Sequence, residues 1–71
     1  MTDREFYKAV GENVRKRRLK KKWTQIKLGD ETGLDAQNIS RIELGYNSKL
    51  KTLKKLAEAL GCSVADLVKV K

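Results

Sequence analysis

Apolar residues recur along the chain at spacings of three and four, which is the periodicity of amphipathic helices and not of strands. Phe6, Val10 and Val14 recur every four residues and predict the buried stripe of a first helix from about Arg4 to Lys21. Arg18 lies a further four residues along the same stripe. The pattern therefore places a charged side chain where an apolar one is expected.

Two short helices are predicted next, joined by a turn that contains Gly33. Thr24 is the expected N-cap of the second helix, which buries Leu28 and ends at Gly33. Asp35 is the expected N-cap of the third helix, which ends at Gly45. The segment from about residue 24 to residue 45 therefore has the dimensions of a helix-turn-helix.

The remaining sequence predicts two more helices. The fourth helix ends at Gly61, and its apolar face consists of Leu50, Leu53, Leu56, Ala57 and Leu60. The pattern Ser63-Val64-Ala65-Asp66 is a capping box that begins a short fifth helix. With no proline and no repeat, residues 1–71 are predicted to form a single all-α domain of five short helices around one core.

Composition excludes several classes of function. One cysteine and no histidine rule out an internal disulfide, a His–Cys zinc site and catalytic triads with a histidine base. Clustered carboxylates are also missing, so we expect no enzyme, no metal and no cofactor. The longest uncharged stretch, residues 59–65, is far shorter than the roughly 20 apolar residues of a membrane span. Without a signal-peptide pattern at residues 1–5, the expected compartment is the cytoplasm.

The charge of the chain favours a polyanionic partner. Seventeen Lys and Arg against nine Asp and Glu give a net charge of +8, which suits nucleic acid. Seven of the eight residues from Arg15 to Lys22 are basic. This basic run is either a solvated helix face or a surface that attracts the phosphates of DNA.

The third helix has an unusual outward face. At about 100° per residue, Ile39 and Ile42 lie on one side, and the opposite side gathers Gln37, Ser40, Arg41 and Leu44. A glutamine amide matches the donor and acceptor of adenine, and an arginine fork matches the two acceptors of guanine. This face is therefore predicted to read base edges in a major groove.

From Gly11 to about Val68 the sequence resembles the Cro and phage-repressor type of helix-turn-helix domain. The stretches that carry the resemblance are Thr24-Gln25, Ile39 to Gly45 (ISRIELG) and Thr52 to Gly61 (TLKKLAEALG). The resemblance implies a lambda-repressor-like fold and a sequence-specific transcription regulator. We expect a repressor or autoregulator of phage, plasmid or mobile-element origin.

The resemblance also assigns roles to individual positions. Those that reach bases are Ala36, Gln37, Asn38 and Arg41. Those that contact the DNA backbone are Thr24, Gln25, Ser40, Asn47, Ser48, Lys49 and Lys51. Gln25 is also expected to brace the first residues of the third helix. Arg18 and Glu43 match a structural ion pair between the first and third helices, which would explain the cation on the buried stripe.

One departure from the family pattern is Gly29, where relatives usually have Ala. A glycine there loses roughly 1 kcal/mol of helix propensity. It either permits a close helix approach or is a tolerated weakness.

The expected partner is double-stranded DNA with a near-palindromic operator. A second copy of the chain is also expected, because one helix-turn-helix buries too little surface for tight specific binding. Without a separate dimerisation domain, the candidates for the interface are Val64, Leu67, Val68 and Val70, which could equally cover the core. The alternative functions are a protein-interaction module with the helix-turn-helix fold and a non-specific nucleic-acid-binding protein.

Overall fold

Five α-helices and the turns between them make up residues 1–70, the part of the chain that the computed structural model describes. They are α1 (Asp3–Lys20), α2 (Gln25–Thr32), α3 (Ala36–Glu43), α4 (Leu50–Leu60) and α5 (Val64–Leu67). The prediction of an all-α fold with five short helices is confirmed. None of these helices is both long enough and apolar enough to cross a membrane.

Side chains cap the N-termini of four helices and leave that of α4 uncapped. The hydroxyls of Thr2, Thr24 and Ser63 and the carboxylate of Asp35 each accept a hydrogen bond from the backbone three residues later. Such a cap contributes about 1 kcal/mol. The N-cap residue of α4, Lys49, makes no side-chain hydrogen bond to the helix.

The core is formed by apolar residues of all five helices. α1 packs against α3, α4 and α5, and α2 packs against α3 and α4. Each buried Val, Leu or Ile side chain contributes about 1.5–3 kcal/mol. The buried apolar side chains are Val10, Val14, Leu28, Ile39, Ile42, Leu53, Leu56, Ala57, Leu60 and Leu67.

Two glycines allow helices to approach closer than any side chain would permit. A Cβ atom on Gly11 would lie 2.3 Å from the carbonyl oxygen of Ile42, so α1 touches the backbone of α3 directly. A Cβ atom on Gly29 would lie 2.5 Å from the carbonyl oxygen of Leu34, in the turn before α3. Of the two explanations for Gly29, the structure supports the close approach.

The C-terminal segment, residues 64–70, packs on the core. Leu67 is 0% exposed, so of its two predicted roles, dimer contact or core cover, the structure supports core cover, because a side chain enclosed within its own chain cannot contact a second copy. Val64 and Val68 are partly buried against the core, and Val70 is 38% exposed. The Asn13 amide fastens the segment to α1, because its Nδ2 donates to the carbonyl oxygen of Leu67 at 2.9 Å.

Candidate nucleic-acid interface

α3 presents two chemically different sides. On its inner side Ile39 and Ile42 are buried, at 0% and 3% exposure. On its outer side Gln37 and Arg41 are exposed, and neither side chain hydrogen-bonds to another group within residues 1–70. Leu44, one turn beyond, is 70% exposed. The amide and the guanidinium are therefore accessible to a ligand along one ridge.

An ion pair fixes the last turn of α3 against α1. The Arg18 guanidinium donates from Nε to Oε2 of Glu43 at 2.7 Å and from Nη2 to Oε1 at 2.9 Å. Its Nη1 donates to the carbonyl oxygen of Trp23 at 2.7 Å, so all three nitrogens have a partner. The hydrogen bonds that Arg18 donates to the Glu43 carboxylate stabilise the charged guanidinium and raise the pKa of Arg18. The cation on the buried stripe therefore holds α3 in place.

Gln25 takes part in this network in a different way from the one the resemblance implies. Its Nε2 donates to Oε1 of Glu43 at 3.2 Å. Glu43 is the last residue of α3, so in the structure Gln25 braces the end of that helix and not its first residues. This contact connects the N-terminus of α2 to the same carboxylate that binds Arg18.

A cleft of about 280 Å³ lies between α3 and the loop that leads into α4. This α3–α4 cleft is lined by Asn38, Ile42, Asn47, Ser48, Lys49 and Thr52. The Ser48 hydroxyl oxygen is buried and has no hydrogen-bond partner within residues 1–70. Next to it are the first amides of α4, which have no partner inside the helix because the first intrahelical bond is from Leu53 to Lys49. The cleft thus offers hydrogen-bond donors together with one lysine.

A second cleft, of about 390 Å³, lies on the other side of α3. This α1–α3 cleft is lined by Lys8, Glu12, Arg15, Gln25, Ser40, Glu43 and Leu44. Sequence reasoning missed Lys8 and Glu12 as neighbours of α3. Their spacing with Arg15 places all three on one face of α1, but only the packing of α1 against α3 shows which face that is.

The remaining candidate positions are distributed around α3. The exposed ones are Thr24, Asn38, Asn47, Lys49 and Lys51, and the partly buried ones are Gln25, Ala36, Ser40 and Ser48. The Thr24 hydroxyl already accepts from the amide of Lys27 at 3.0 Å. Among residues 1–70 no group of three or more His, Cys, Asp or Glu side chains could hold a metal ion.

Part of the basic run is engaged with an aromatic ring. The Lys21 ammonium lies 5.0 Å from the centre of the Trp23 ring, and that of Lys27 lies 5.7 Å from it. Trp23 itself is partly buried against the core. These contacts are within the range of cation–π attraction, so Lys21 has a partner inside the molecule.

Comparison with known proteins identifies the motif. A family described as "Helix-turn-helix" matches residues 14–67. No curated protein sequence matches the chain significantly.

Three solved structures superpose closely on the chain. A hypothetical transcription factor, NHTF from Neisseria, has a TM-score of 0.86 and 28% identity, over 97% of this chain and 80% of that one. The restriction-modification controller protein C.AhdI from Aeromonas hydrophila has a TM-score of 0.82 and 31% identity, over 86% and 94% of the two chains. The P22 c2 repressor, solved in complex with a synthetic operator, has a TM-score of 0.80 and 36% identity, over 84% and 92%.

Proposed function

Because the chain belongs to the helix-turn-helix family of lambda-repressor type, whose members are DNA-binding transcription regulators, we propose that it is a sequence-specific repressor or autoregulator. In this proposal α3 lies in the major groove of an operator half-site. The observation that carries the proposal is the exposure of Gln37 and Arg41 on one ridge, opposite the buried side of the same helix.

The two side chains differ in the base they suit. The Gln37 amide donates to and accepts from adenine, and the Arg41 fork donates to both acceptors of guanine. Each such bidentate pair discriminates against the wrong base by about 1–3 kcal/mol. Ala36 and Asn38 flank the N-terminal end of the same ridge, where a small apolar group suits the methyl of thymine.

The groups around α3 anchor the helix on the phosphates. Asn47, Ser48 and Lys49 act together with the uncapped amides of α4, and Lys51 adds a charge in its first turn. The positive end of a helix favours a phosphate at such a place. An unpaired buried hydroxyl costs about 1–3 kcal/mol unless a ligand satisfies it, which favours a phosphate oxygen near Ser48.

On the other side of α3, Thr24, Gln25 and Ser40 are the proposed anchors. The Thr24 hydroxyl accepts its capping bond and keeps its own hydrogen, so it can donate to a phosphate together with the free amides of the first turn of α2. Gln25 of α2 and Ser40 of α3 both line the α1–α3 cleft, so a phosphate that enters this cleft comes within reach of both side chains.

The chain acts as a homodimer on a near-palindromic operator in this proposal. Two helix-turn-helix units related by a two-fold axis read half-sites one helical turn apart. With Leu67 enclosed in the core, the candidates for the interface are Val64, Val68 and Val70. The proposed compartment is the cytoplasm, where a regulator of this kind meets its operator.

Selection of bound duplexes from a random pool tests the function. We expect the retained duplexes to share two half-sites related by a two-fold axis, with centres about 10 base pairs apart. A pool retained without sequence preference would instead indicate a non-specific nucleic-acid-binding protein. A chain that retains no duplex at all would be the protein-interaction module, and the proposed function would be wrong.

A further inference from the structure

The outer ridge of α3 lies between two clefts of similar size. The α3–α4 cleft meets the ridge at Asn38, and the α1–α3 cleft meets it at Ser40 and Leu44. On α3, at about 100° per residue, Asn38 is turned roughly 160° away from Ser40. The two clefts therefore flank the ridge on opposite sides.

α1 runs alongside α3 at the second of these clefts. A Cβ atom on Gly45 would lie 3.0 Å from the Cα atom of Lys8, and one on Gly11 would meet the backbone of Ile42 and Glu43. Lys8 is therefore next to the turn that ends α3. Arg15, two turns further along the same face of α1, lines the cleft beside Gln25 and Ser40.

The charges of the α1–α3 cleft leave two cations available. Lys8 and Arg15 are exposed, and neither forms an ion pair within residues 1–70, where the ion pairs are Arg17–Asp66, Arg18–Glu43 and Lys27–Glu31. The two acids of the cleft differ in whether a cation neutralises them. Glu43 is paired with Arg18, whereas Glu12 has no cationic partner within 4.0 Å among residues 1–70. Glu12 is the one group there that repels an anion.

A duplex that receives α3 places a phosphate strand on each side of the helix. The major groove is about 12 Å wide, and a helix with its side chains is about 10–12 Å across. We infer that Lys8 and Arg15 contact phosphates of the strand opposite the one that meets Lys49. This inference rests on the proposed function, and it adds α1 to the helices that form the DNA-binding surface.

The same geometry divides the basic run into two surfaces. Lys16 and Lys20 are turned by about 100° and 140° from Arg15 around α1. They line a separate groove near α5, together with Asn13, Arg17, Asp66, Lys69 and Val70. The basic residues from Arg15 to Lys22 therefore do not form one continuous surface. Lys8 lies outside this run in sequence, but it lines the same cleft as Arg15.

Salt titration of the wild type and two matched variants tests the inference. Arg15→Ala and Lys16→Ala each remove one charge from neighbouring exposed positions of α1, so the change in net charge is the same. We expect Arg15→Ala to reduce the slope of log affinity against log salt by about 0.9, the value for one phosphate. Lys8→Ala should do the same, whereas Lys16→Ala should leave the slope unchanged.

A second substitution should act in the opposite direction. Replacing Glu12 by Gln removes the repulsive charge of the cleft and should raise the affinity for every duplex alike. Its matched control is Glu58→Gln, because Glu58 is exposed on α4 in a shallow groove with Lys55 and Ala59, away from α3. The control should leave the affinity unchanged.

These outcomes distinguish the inference from the function on which it rests. Equal slopes for Arg15→Ala and Lys16→Ala, or an equal response to Glu12→Gln and Glu58→Gln, would overturn the role of α1. In that case a wild-type protein that still prefers its selected duplex would leave the proposed function intact. If the wild type binds no duplex, both proposals are wrong.

Discussion

The inner and outer sides of α3 differ in how completely their polar groups are satisfied. On the inner side, Glu43 accepts three hydrogen bonds, two from Arg18 and one from Gln25. On the outer side, Gln37 and Arg41 make no side-chain hydrogen bond within residues 1–70. In the neighbouring α3–α4 cleft, the buried hydroxyl of Ser48 also has no partner in that part of the chain.

This contrast shows how the molecule separates support from recognition. Buried polar groups in proteins nearly always have a hydrogen-bond partner, and the inner side of α3 follows that rule through groups from α1 and α2. Its orientation is fixed from inside, so the outer side needs no internal contacts to hold it. A surface of exposed donors on a fixed helix is suited to a ligand that satisfies them.

The largest effect is expected when one partner of the Arg18–Glu43 ion pair is removed from the inner side of α3. Arg18→Met leaves the Glu43 carboxylate, which is 4% exposed, without its cationic partner. We expect the free energy of unfolding, measured by chemical denaturation, to fall by about 3–5 kcal/mol, the cost for a fully buried pair. The matched double variant, Arg18→Met with Glu43→Leu, should recover most of that loss. A single variant as stable as the wild type would show that the ion pair does not hold α3.

A second prediction concerns the turn that leads into α3. Gly29→Ala places a Cβ atom against the carbonyl oxygen of Leu34, so we expect a loss of about 1–3 kcal/mol of unfolding free energy from overpacking. Helix propensity alone predicts the opposite sign, a gain of roughly 1 kcal/mol. Thermal or chemical denaturation of this variant decides between the two, and increased stability would contradict the close approach.

The smallest of these three effects is expected at the N-terminus of α4, in the α3–α4 cleft. Lys49→Ser supplies the missing N-cap of α4, which should stabilise the fold by about 1 kcal/mol. The same change removes a proposed phosphate contact and should weaken binding to all duplexes alike. Lys55→Ser, at an exposed position within α4, is the control for loss of charge and should not affect binding. If Lys49→Ser leaves the affinity unchanged, the α3–α4 cleft does not contact DNA.

Local sequence signals predicted the helices well. The caps Thr24, Asp35 and Ser63 and the terminating glycines Gly33 and Gly61 lie where their chemistry indicated. The predicted start of α1, at about Arg4, was one residue too late. The helix begins at Asp3, because Thr2 and Glu5 form a capping box. That pattern is present in the sequence and would have given the correct start.

Features that depend on tertiary packing could not be predicted from the sequence. In the sequence, nothing distinguishes Gly11 from any other residue within a helix, and only the structure shows that the backbone of α3 contacts it. Similarly, the basic run gives no sign that Arg15 lies beside α3 while Lys16 lies near α5. Periodicity shows which residues share a face of α1, but only the packed structure shows what each face meets.

The base preferences of Arg41→Ala, compared with those of the wild type on a random pool of duplexes, test the central claim most directly. We expect the variant to fold normally, because Arg41 is exposed. It should lose its preference at one base pair in each half-site, by about 1–3 kcal/mol, and keep the others. Equal weakening on all duplexes, or an unchanged preference at every base pair, would contradict the claim that the outer side of α3 reads DNA sequence.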